Sequence, residues 1–330
     1  IFDIENYHSS DNMGNSGVAV AIVLYCIAGT SLTILNKLVM IEFPYPSLVL
    51  LLQCFVTLLL VFPMSKILPP SKNTLINPLE SQKVRMWMPQ VLFFFAMLLT
   101  SMIALKHVNV VTLTVIRNLI SLVVCAVDMG MLGTKMSNTA IGSLFGILFG
   151  ALMYGYGDLT FNVVGYIWLL ANIVASSAFN INIKKLVKTV DLSTFGMVFY
   201  NNLLCLPFFA VVGMSSETEF LDSISDLSAS TQAALWMSCL FGFLLSTIAF
   251  YLNQSITATS LMVVNNCNKF AMILFSELFV ESTLGSISLM GTIVVMGFGA
   301  LYSYDKTAGR KPSAQIDEKP LKTVTVETPK

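Results

Sequence analysis

The sequence predicts an all-α membrane protein with ten transmembrane helices. Apolar residues make up 55% of the 330-residue chain and charged residues only 11%, against roughly 25% charged residues in soluble domains. Ten apolar segments are each long enough to cross a bilayer core, which takes about 20 residues. The segments are continuous rather than alternating in polarity, which favours helices over a β-barrel. We therefore expect one membrane domain over residues 17–304.

The ten helices are predicted from the ends of the apolar runs. Pro44 and Pro46 separate the first two segments, and Pro69 and Pro70 follow the second, because proline interrupts a helix. An acidic cytosolic stub over residues 1–16 precedes the domain, and a polar cytosolic tail over residues 305–330 is predicted to be disordered. The predicted helices span residues 17–41, 46–68, 87–106, 108–132, 138–156, 162–184, 193–213, 230–254, 257–280 and 285–304.

The placement of charge predicts the orientation. If the amino terminus is cytosolic, fourteen basic residues lie on the cytosolic side, against Lys106 alone on the opposite side. Cytosolic loops are enriched in Lys and Arg, so both termini are predicted to be cytosolic. Basic and acidic residues balance at 18 each, which does not suggest a nucleic-acid partner. The two histidines and six cysteines are not spaced as metal ligands, so no metal site is predicted.

Three basic residues lie within the predicted membrane segments, where each needs a partner or a water-filled cavity. Lys37 is close enough to a helix end to reach the interface. Arg117 lies mid-helix beside Asn118, and both a structural and a functional role are open. Lys269 is the sharpest candidate, because three carboxamides lie in the same turn, as an anionic ligand with many hydroxyls would require. These carboxamides are Asn265, Asn266 and Asn268. Hydrogen bonding between helices is the alternative.

A second polar cluster, FYNN, interrupts the seventh segment at Phe199, Tyr200, Asn201 and Asn202. On a helix the last three side chains fan over about 200 degrees, so they cannot all face lipid. A carboxamide offers one acceptor and two donors, which complements the edge of a nucleobase. Hydrogen bonding between helices is again the alternative. Together, FYNN and the NNCNK sequence of the ninth segment suit the two ends of one ligand, a base and a phosphorylated sugar.

These motifs resemble those of the nucleotide-sugar transporters of the drug/metabolite transporter superfamily, and are most similar to the Golgi GDP-mannose transporter group. The resemblance spans roughly residues 17–304 and implies two inverted five-helix repeats, about residues 17–156 and 162–304, around a central cavity. The family exchanges a cytosolic nucleotide sugar for a luminal nucleoside monophosphate. The motifs are FYNN followed by LxLP, the NK pair of the ninth helix, Tyr25-Cys26 and Asn36-Lys37 in the first, and RNL in the fourth.

The resemblance implies two sets of site residues. The first set binds the guanine or shapes the wall beside it: Phe199, Tyr200, Asn201, Asn202 and Ser246. The second set contacts the sugar and phosphates: Tyr25, Asn265, Asn266, Asn268 and Lys269. The family motif GALNK is NNCNK in this chain, which leaves the sugar open between mannose, fucose and arabinose. No cofactor and no catalytic residue is implied.

The expected function is import of a GDP-sugar into the lumen of the Golgi, or of the endoplasmic reticulum, in exchange for GMP. A UDP-sugar/UMP exchanger is the alternative, because carboxamides alone do not distinguish guanine from uracil. An exchanger of phosphorylated metabolites is expected to carry a Lys-Arg pair where Phe270 follows Lys269 in this chain. A non-transporting scaffold would leave the polar residues without a ligand, and an enzyme is not expected, because the intramembrane carboxylates are scattered.

Membrane lipid is an expected partner, and dimerisation stays open. The ridge of Gly142, Gly146 and Gly150 in the fifth helix allows close approach of another helix, either within the chain or in a second copy.

Overall fold

The computed structural model describes residues 5–67, 74–132, 137–219, 227–256, 258–279 and 285–308. These residues contain helices and no strand, which confirms the all-α prediction. Pro69 and Pro70, and the tail beyond residue 308, lie outside the described residues. The helices are α1 (Glu5–Glu42), α2 (Pro46–Ile67), α3 (Ser81–His107), α4 (Val110–Ile116), α5 (Leu119–Leu132), α6 (Asn138–Gly157), α7 (Val163–Thr189), α8 (Thr194–Ser216), α9 (Ala229–Ser255), α10 (Ala258–Phe279) and α11 (Ser286–Ala308).

Each predicted segment corresponds to one helix, except that α4 and α5 share the fourth. Nine segments of the described chain are long and apolar enough to cross a membrane, and α4 with α5 counts as one of them. The remaining predicted segment, the ninth, is α10, whose apolarity is lowered by the amides and the lysine of NNCNK. Several ends differ from the predictions: α1 begins at Glu5 within the predicted stub, and α3 begins at Ser81 rather than at residue 87.

Side-chain caps explain where several helices begin. The side chain of Asn162 accepts a hydrogen bond from Gly165 N at the start of α7. At the starts of α8 and α9, the side chains of Ser193 and Ser228 accept from the backbone N–H three residues later. Such caps satisfy backbone N–H groups that have no partner in the first turn of a helix.

The fourth span is broken, whereas the sequence predicted one helix over residues 108–132. α4 ends at Ile116 and α5 begins at Leu119. At the break, Asn118 N donates to Val115 O (3.1 Å) and Ile120 N donates to Arg117 O (3.2 Å), so both bonds span three residues rather than four. In a regular helix, Thr114 O would accept from the backbone N–H of Asn118, which here donates to Val115 O instead. The Asn118 side chain donates to Thr114 O at 3.1 Å and so replaces the missing bond. Asparagine competes with helix hydrogen bonds in this way.

The two larger of three buried apolar clusters in the described residues join different sets of helices. The first joins α1, α2, α3, α7, α8 and α9, and the second joins α3, α4, α5, α6, α7, α10 and α11. α2 packs on α8 in the first cluster, whereas α10 packs on α4 and α11 in the second. Lys37 donates to Leu105 O (3.2 Å) and Val108 O (2.9 Å), and thus ties α1 to the carboxyl end of α3. Side chains from both clusters line a cavity between them.

Candidate functional site

The central cavity has a volume of about 400 Å³ and is lined by nine of the helices. Such a volume lies within the range of small-molecule sites. Most of the lining is apolar, and a set of polar side chains converges on it. This set includes Tyr25, Asn36, Gln53, Ser101, Arg117, Asn180, Asn202, Ser246, Asn253, Asn265, Asn266, Asn268 and Lys269.

Among the described residues, two cations line the cavity, Arg117 and Lys269; they lie on its α4–α10 side, and we call them the cation wall. Lys269 Nζ donates to Asn118 Oδ1 at 3.2 Å. Since Asn118 also bridges the break between α4 and α5, the broken span helps to hold the lysine.

Arg117 is held by neutral partners from two other helices. Its Nε donates to Asn172 Oδ1 (2.9 Å) and its NH2 group donates to Ser101 Oγ (2.9 Å). Asn172 is itself fixed by a bond from Nδ2 to Met97 O at 2.8 Å. Among the described residues that line the cavity there is no carboxylate to balance the two cations. The cavity is therefore suited to an anion that carries two charges.

The carboxamides of NNCNK connect α10 to its neighbours. Tyr25 OH donates to Asn265 Oδ1 at 2.9 Å, and Thr30 Oγ1 to Asn268 Oδ1 at 3.3 Å, so α1 is linked twice to α10. A Cβ atom at Gly29 would lie only 2.8 Å from Asn268 Nδ2, so the Asn268 side chain would have to move if residue 29 were not a glycine. The remaining amide points another way: Asn266 Nδ2 donates to α11, at Gly299 O (2.8 Å) and Ser303 Oγ (2.6 Å).

The FYNN side chains diverge. Asn202 lines the cavity, and its Nδ2 donates to Val198 O at 2.8 Å. Asn201 is 0% exposed and does not line the cavity; its Oδ1 accepts from Trp87 Nε1 at 2.8 Å. Asn201 Nδ2 has no hydrogen-bond partner among the described residues.

The aromatic residues of FYNN lie away from the cavity in this conformation. Tyr200 OH donates to Pro78 O and accepts from Glu80 N at 3.2 Å, so it anchors the segment before α3. Phe199 packs edge-on against Tyr200, with ring centroids 6.4 Å apart. Ser246 of α9 does line the cavity. Of the five predicted nucleobase residues, Asn202 and Ser246 are therefore the two that the cavity brings together with the predicted sugar and phosphate residues.

Sequence reasoning assigned no site role to a second group of amides in the cavity, although Asn36 belongs to the Asn36-Lys37 motif. Gln53 Nε2 donates to Asn36 Oδ1 (2.8 Å) and to Ser238 Oγ (2.9 Å), and both Gln53 and Asn36 line the cavity. Asn180 of α7 also lines it. Polarity inside an apolar span was the available signal, but no run of neighbouring amides marks these positions. We call Asn36, Gln53 and Asn202 the amide wall: Gln53 lies on α2 and Asn202 on α8, two helices that pack together, and Asn36 of α1 is hydrogen-bonded to Gln53.

Comparison with known proteins agrees with a transport site. The model of the Triose-phosphate Transporter family matches residues 16–303. GDP-mannose transporter GONST3 of Arabidopsis thaliana is 29% identical over 305 residues, covering 90% of this chain and 80% of the relative. GDP-fucose transporter 1 of Arabidopsis thaliana is 28% identical, covering 90% of this chain and 88% of the relative. The GDP-mannose transporter of Komagataella pastoris is 23% identical, covering 88% and 92%.

A solved crystal structure found in the comparison shares the fold. Its TM-score is 0.59 at 12% sequence identity, and the match covers 90% of this chain and 99% of the solved chain.

Proposed function

This chain belongs to the Triose-phosphate Transporter family, and we propose that it is a nucleotide-sugar transporter that exchanges a GDP-sugar for GMP. The observation that carries the proposal is the cation wall, Arg117 and Lys269, in a cavity whose described lining holds no carboxylate. A buried, unpaired cation is costly, so both residues need a counter-charge. A GDP-sugar carries two negative charges on its diphosphate and therefore offers that counter-charge.

The second support is the amide wall on the α2–α8 side of the same cavity. Carboxamides both donate and accept, as the edge of a nucleobase requires, whereas diphosphate oxygens only accept. A ligand with its diphosphate at the cation wall and its base at the amide wall would satisfy both groups. Asn202 and Ser246 are the predicted base residues that line this cavity. Contacts of Phe199, Tyr200 and Asn201 with the base require a rearrangement of FYNN.

The sugar assignment rests on the relatives and on NNCNK. The similar proteins are named for GDP-mannose and for GDP-fucose. We favour a GDP-sugar over the UDP-sugar alternative for this reason, with GDP-mannose first. Asn265 and Asn268 border the cavity together with Tyr25 and Lys269, so we assign them to the sugar and phosphates. Asn266 already donates to Gly299 O of α11, so we expect it to contribute less to binding of the sugar and phosphates than Asn265 and Asn268 do.

We further propose that the two halves are inverted repeats that alternate access to the cavity. The helix boundaries support this idea, because 148 residues separate Pro46 from Thr194, Ser81 from Ala229, Val110 from Ala258 and Asn138 from Ser286, the first residues of four helix pairs. Five spans in each half give the halves opposite orientations, and ligand sites lie at the interface of such repeats. The charge bias supports cytosolic termini, and the resemblance to the Golgi GDP-mannose transporter group supports import into the Golgi lumen.

The test is thermal stabilisation of the detergent-purified protein by a panel of ligands. A ligand at 100 times its Kd stabilises the bound state by about 2.7 kcal/mol. We expect a response to GMP, GDP-mannose and GDP-fucose and a smaller one to UMP and UDP-glucose. A stronger response to the uridine nucleotides would replace the guanine assignment by the alternative. No response to any nucleotide would contradict the proposal and favour another solute or a scaffold.

A further inference from the structure

Gln53 is a glutamine of α2 that is only 7% exposed and yet lines the central cavity. Its carboxamide orientation follows from its neighbours. Ser238 Oγ donates its hydrogen to Leu235 O at 2.7 Å, so it must accept at the 2.9 Å contact with Gln53. Therefore the atom of Gln53 at this contact is the nitrogen, which also donates to Asn36 Oδ1 at 2.8 Å.

This network uses both N–H groups of Gln53 and leaves Oε1 as the atom that a ligand can contact. A carbonyl oxygen has two lone pairs and no hydrogen, so it accepts from donors and repels phosphate oxygens. Within the described residues the cavity cations lie on the other side, at the cation wall. Gln53 thus favours one orientation of the ligand, with the phosphates away from α2 and a donor-rich group beside it.

The position of Gln53 in the proposed repeats is a second, independent argument. Gln53 and Asn201 are separated by 148 residues, the same interval that separates the starts of the paired helices. Asn201 is the FYNN residue assigned to the base by resemblance, and it lies outside the cavity lining here. Gln53 is its equivalent in the other half, and its carboxamide does reach the cavity.

We propose that Gln53 is a further nucleobase-selecting residue, whose Oε1 accepts hydrogen bonds from the N1–H and N2–H groups of guanine. The inference rests on the proposed function and deepens it. Guanine presents these two donors side by side, and the two lone pairs of one oxygen can accept both. Hypoxanthine offers only the first donor, so Gln53 supplies discrimination between GMP and IMP. Ser238 is a positioning residue, because it acts on the ligand through Gln53, whereas Asn36 both orients the Gln53 carboxamide and lines the cavity itself.

The test compares GMP and IMP binding to the wild-type protein and to Gln53→Met, which has a similar volume and no polar group. We expect the wild type to prefer GMP, and the variant to lose two hydrogen bonds to GMP and one to IMP, at up to about tenfold in affinity for each lost bond. The ratio of the two affinities then approaches one. Gln53→Asn, which keeps the carboxamide but withdraws it by one methylene, is expected to change the ratio in the same direction by less.

Gln90→Met is the matched control. Gln90 is a buried glutamine of α3 that accepts from Asn182 Nδ2 at 2.9 Å and does not line the cavity. We expect this variant to alter unliganded stability while the GMP/IMP ratio stays that of the wild type. A wild-type ratio in both Gln53 variants would overturn the inference and leave the proposed function standing. A wild-type protein that binds no nucleotide would overturn both.

Discussion

At the residue scale, the cavity is organised by buried cations with neutral partners. Lys269 and Arg117 are hydrogen-bonded to Asn118, Asn172 and Ser101, and none of these partners is charged. Moving a cation to the centre of a membrane costs about 2.5–3.5 kcal/mol on insertion scales, and a neutral amide compensates for only part of that. The unliganded protein therefore carries a cost that an anionic ligand relieves.

This cost predicts opposite effects of Lys269→Met on stability and on binding. The variant keeps the length of the side chain and removes its charge. We expect its unliganded thermal stability to equal or exceed that of the wild type, because replacing a poorly compensated buried charge by an apolar group is often stabilising. GMP affinity should fall roughly 10- to 100-fold, the equivalent of one charge-assisted hydrogen bond.

Lys106→Met is the control for this experiment. Lys106 donates to Pro44 O at 3.2 Å and does not line the central cavity. Thermal stabilisation by GMP should therefore be that of the wild type. Equal GMP affinities in Lys269→Met and Lys106→Met would remove Lys269 from the site.

At the element scale, close packing of α6 against α11 forms one side of the molecule. A Cβ atom at Gly150 would lie 2.8 Å from the side chains of Val294 and Val295 and 2.9 Å from Val295 N. Gly146 faces the ring of Phe298 in the same way, whereas Gly142 has nothing within 4 Å. Two of the three glycines of the predicted ridge therefore make internal contacts, as small residues do between membrane helices.

The different surroundings of these glycines predict that Gly150→Ala destabilises the protein and that Gly142→Ala stabilises it. At Gly150 the added methyl group meets backbone, which cannot rotate away, so we expect a loss of about 1–3 kcal/mol from overpacking. At Gly142 the methyl group meets open space, and alanine favours a helix over glycine by up to about 1 kcal/mol. Thermal unfolding in detergent measures both. A destabilised Gly142→Ala protein would instead indicate a second copy packed on this face.

At the scale of the whole molecule, contacts between the two halves occur at both ends of the helices. At one end, Asn77 Oδ1 accepts from Ser193 N at 2.8 Å, just before α8. At the other end, the Glu217 carboxylate accepts from Ser47 N (2.9 Å) and Leu48 N (3.1 Å) in the first turn of α2. An anionic side chain is favourable at a helix amino terminus. Each half thus holds the start of the second helix of the other half.

Such a molecule is expected to exchange ligands rather than to carry them one way. With the cavity empty, the two cations are uncompensated, so we expect the change between inward and outward states to be slow. Vesicles loaded with GMP should take up labelled GDP-mannose much faster than empty vesicles. Vesicles loaded with UMP serve as the control and should behave as empty ones. Equal uptake into empty and GMP-loaded vesicles would contradict exchange.

The sequence by itself determined the class of protein, the approximate ends of ten spans and the polar and charged residues inside those spans. These features depend on composition and on segment length, which the bilayer thickness limits directly. Lys269 was identified in this way, because a charge inside an apolar run is costly wherever the helix packs.

Only the tertiary structure decided which polar side chains share the cavity. Neighbouring residues on a helix point about 100 degrees apart, so the direction of Asn201 and Asn202 depends on how α8 packs on α2 and α3. The break at Arg117 and Asn118 depends on an asparagine side chain that competes with the backbone, which an apolar run does not reveal. The role of Gln53 could be inferred only from its hydrogen bonds to Asn36 and Ser238, which lie on other helices and contact Gln53 through helix packing.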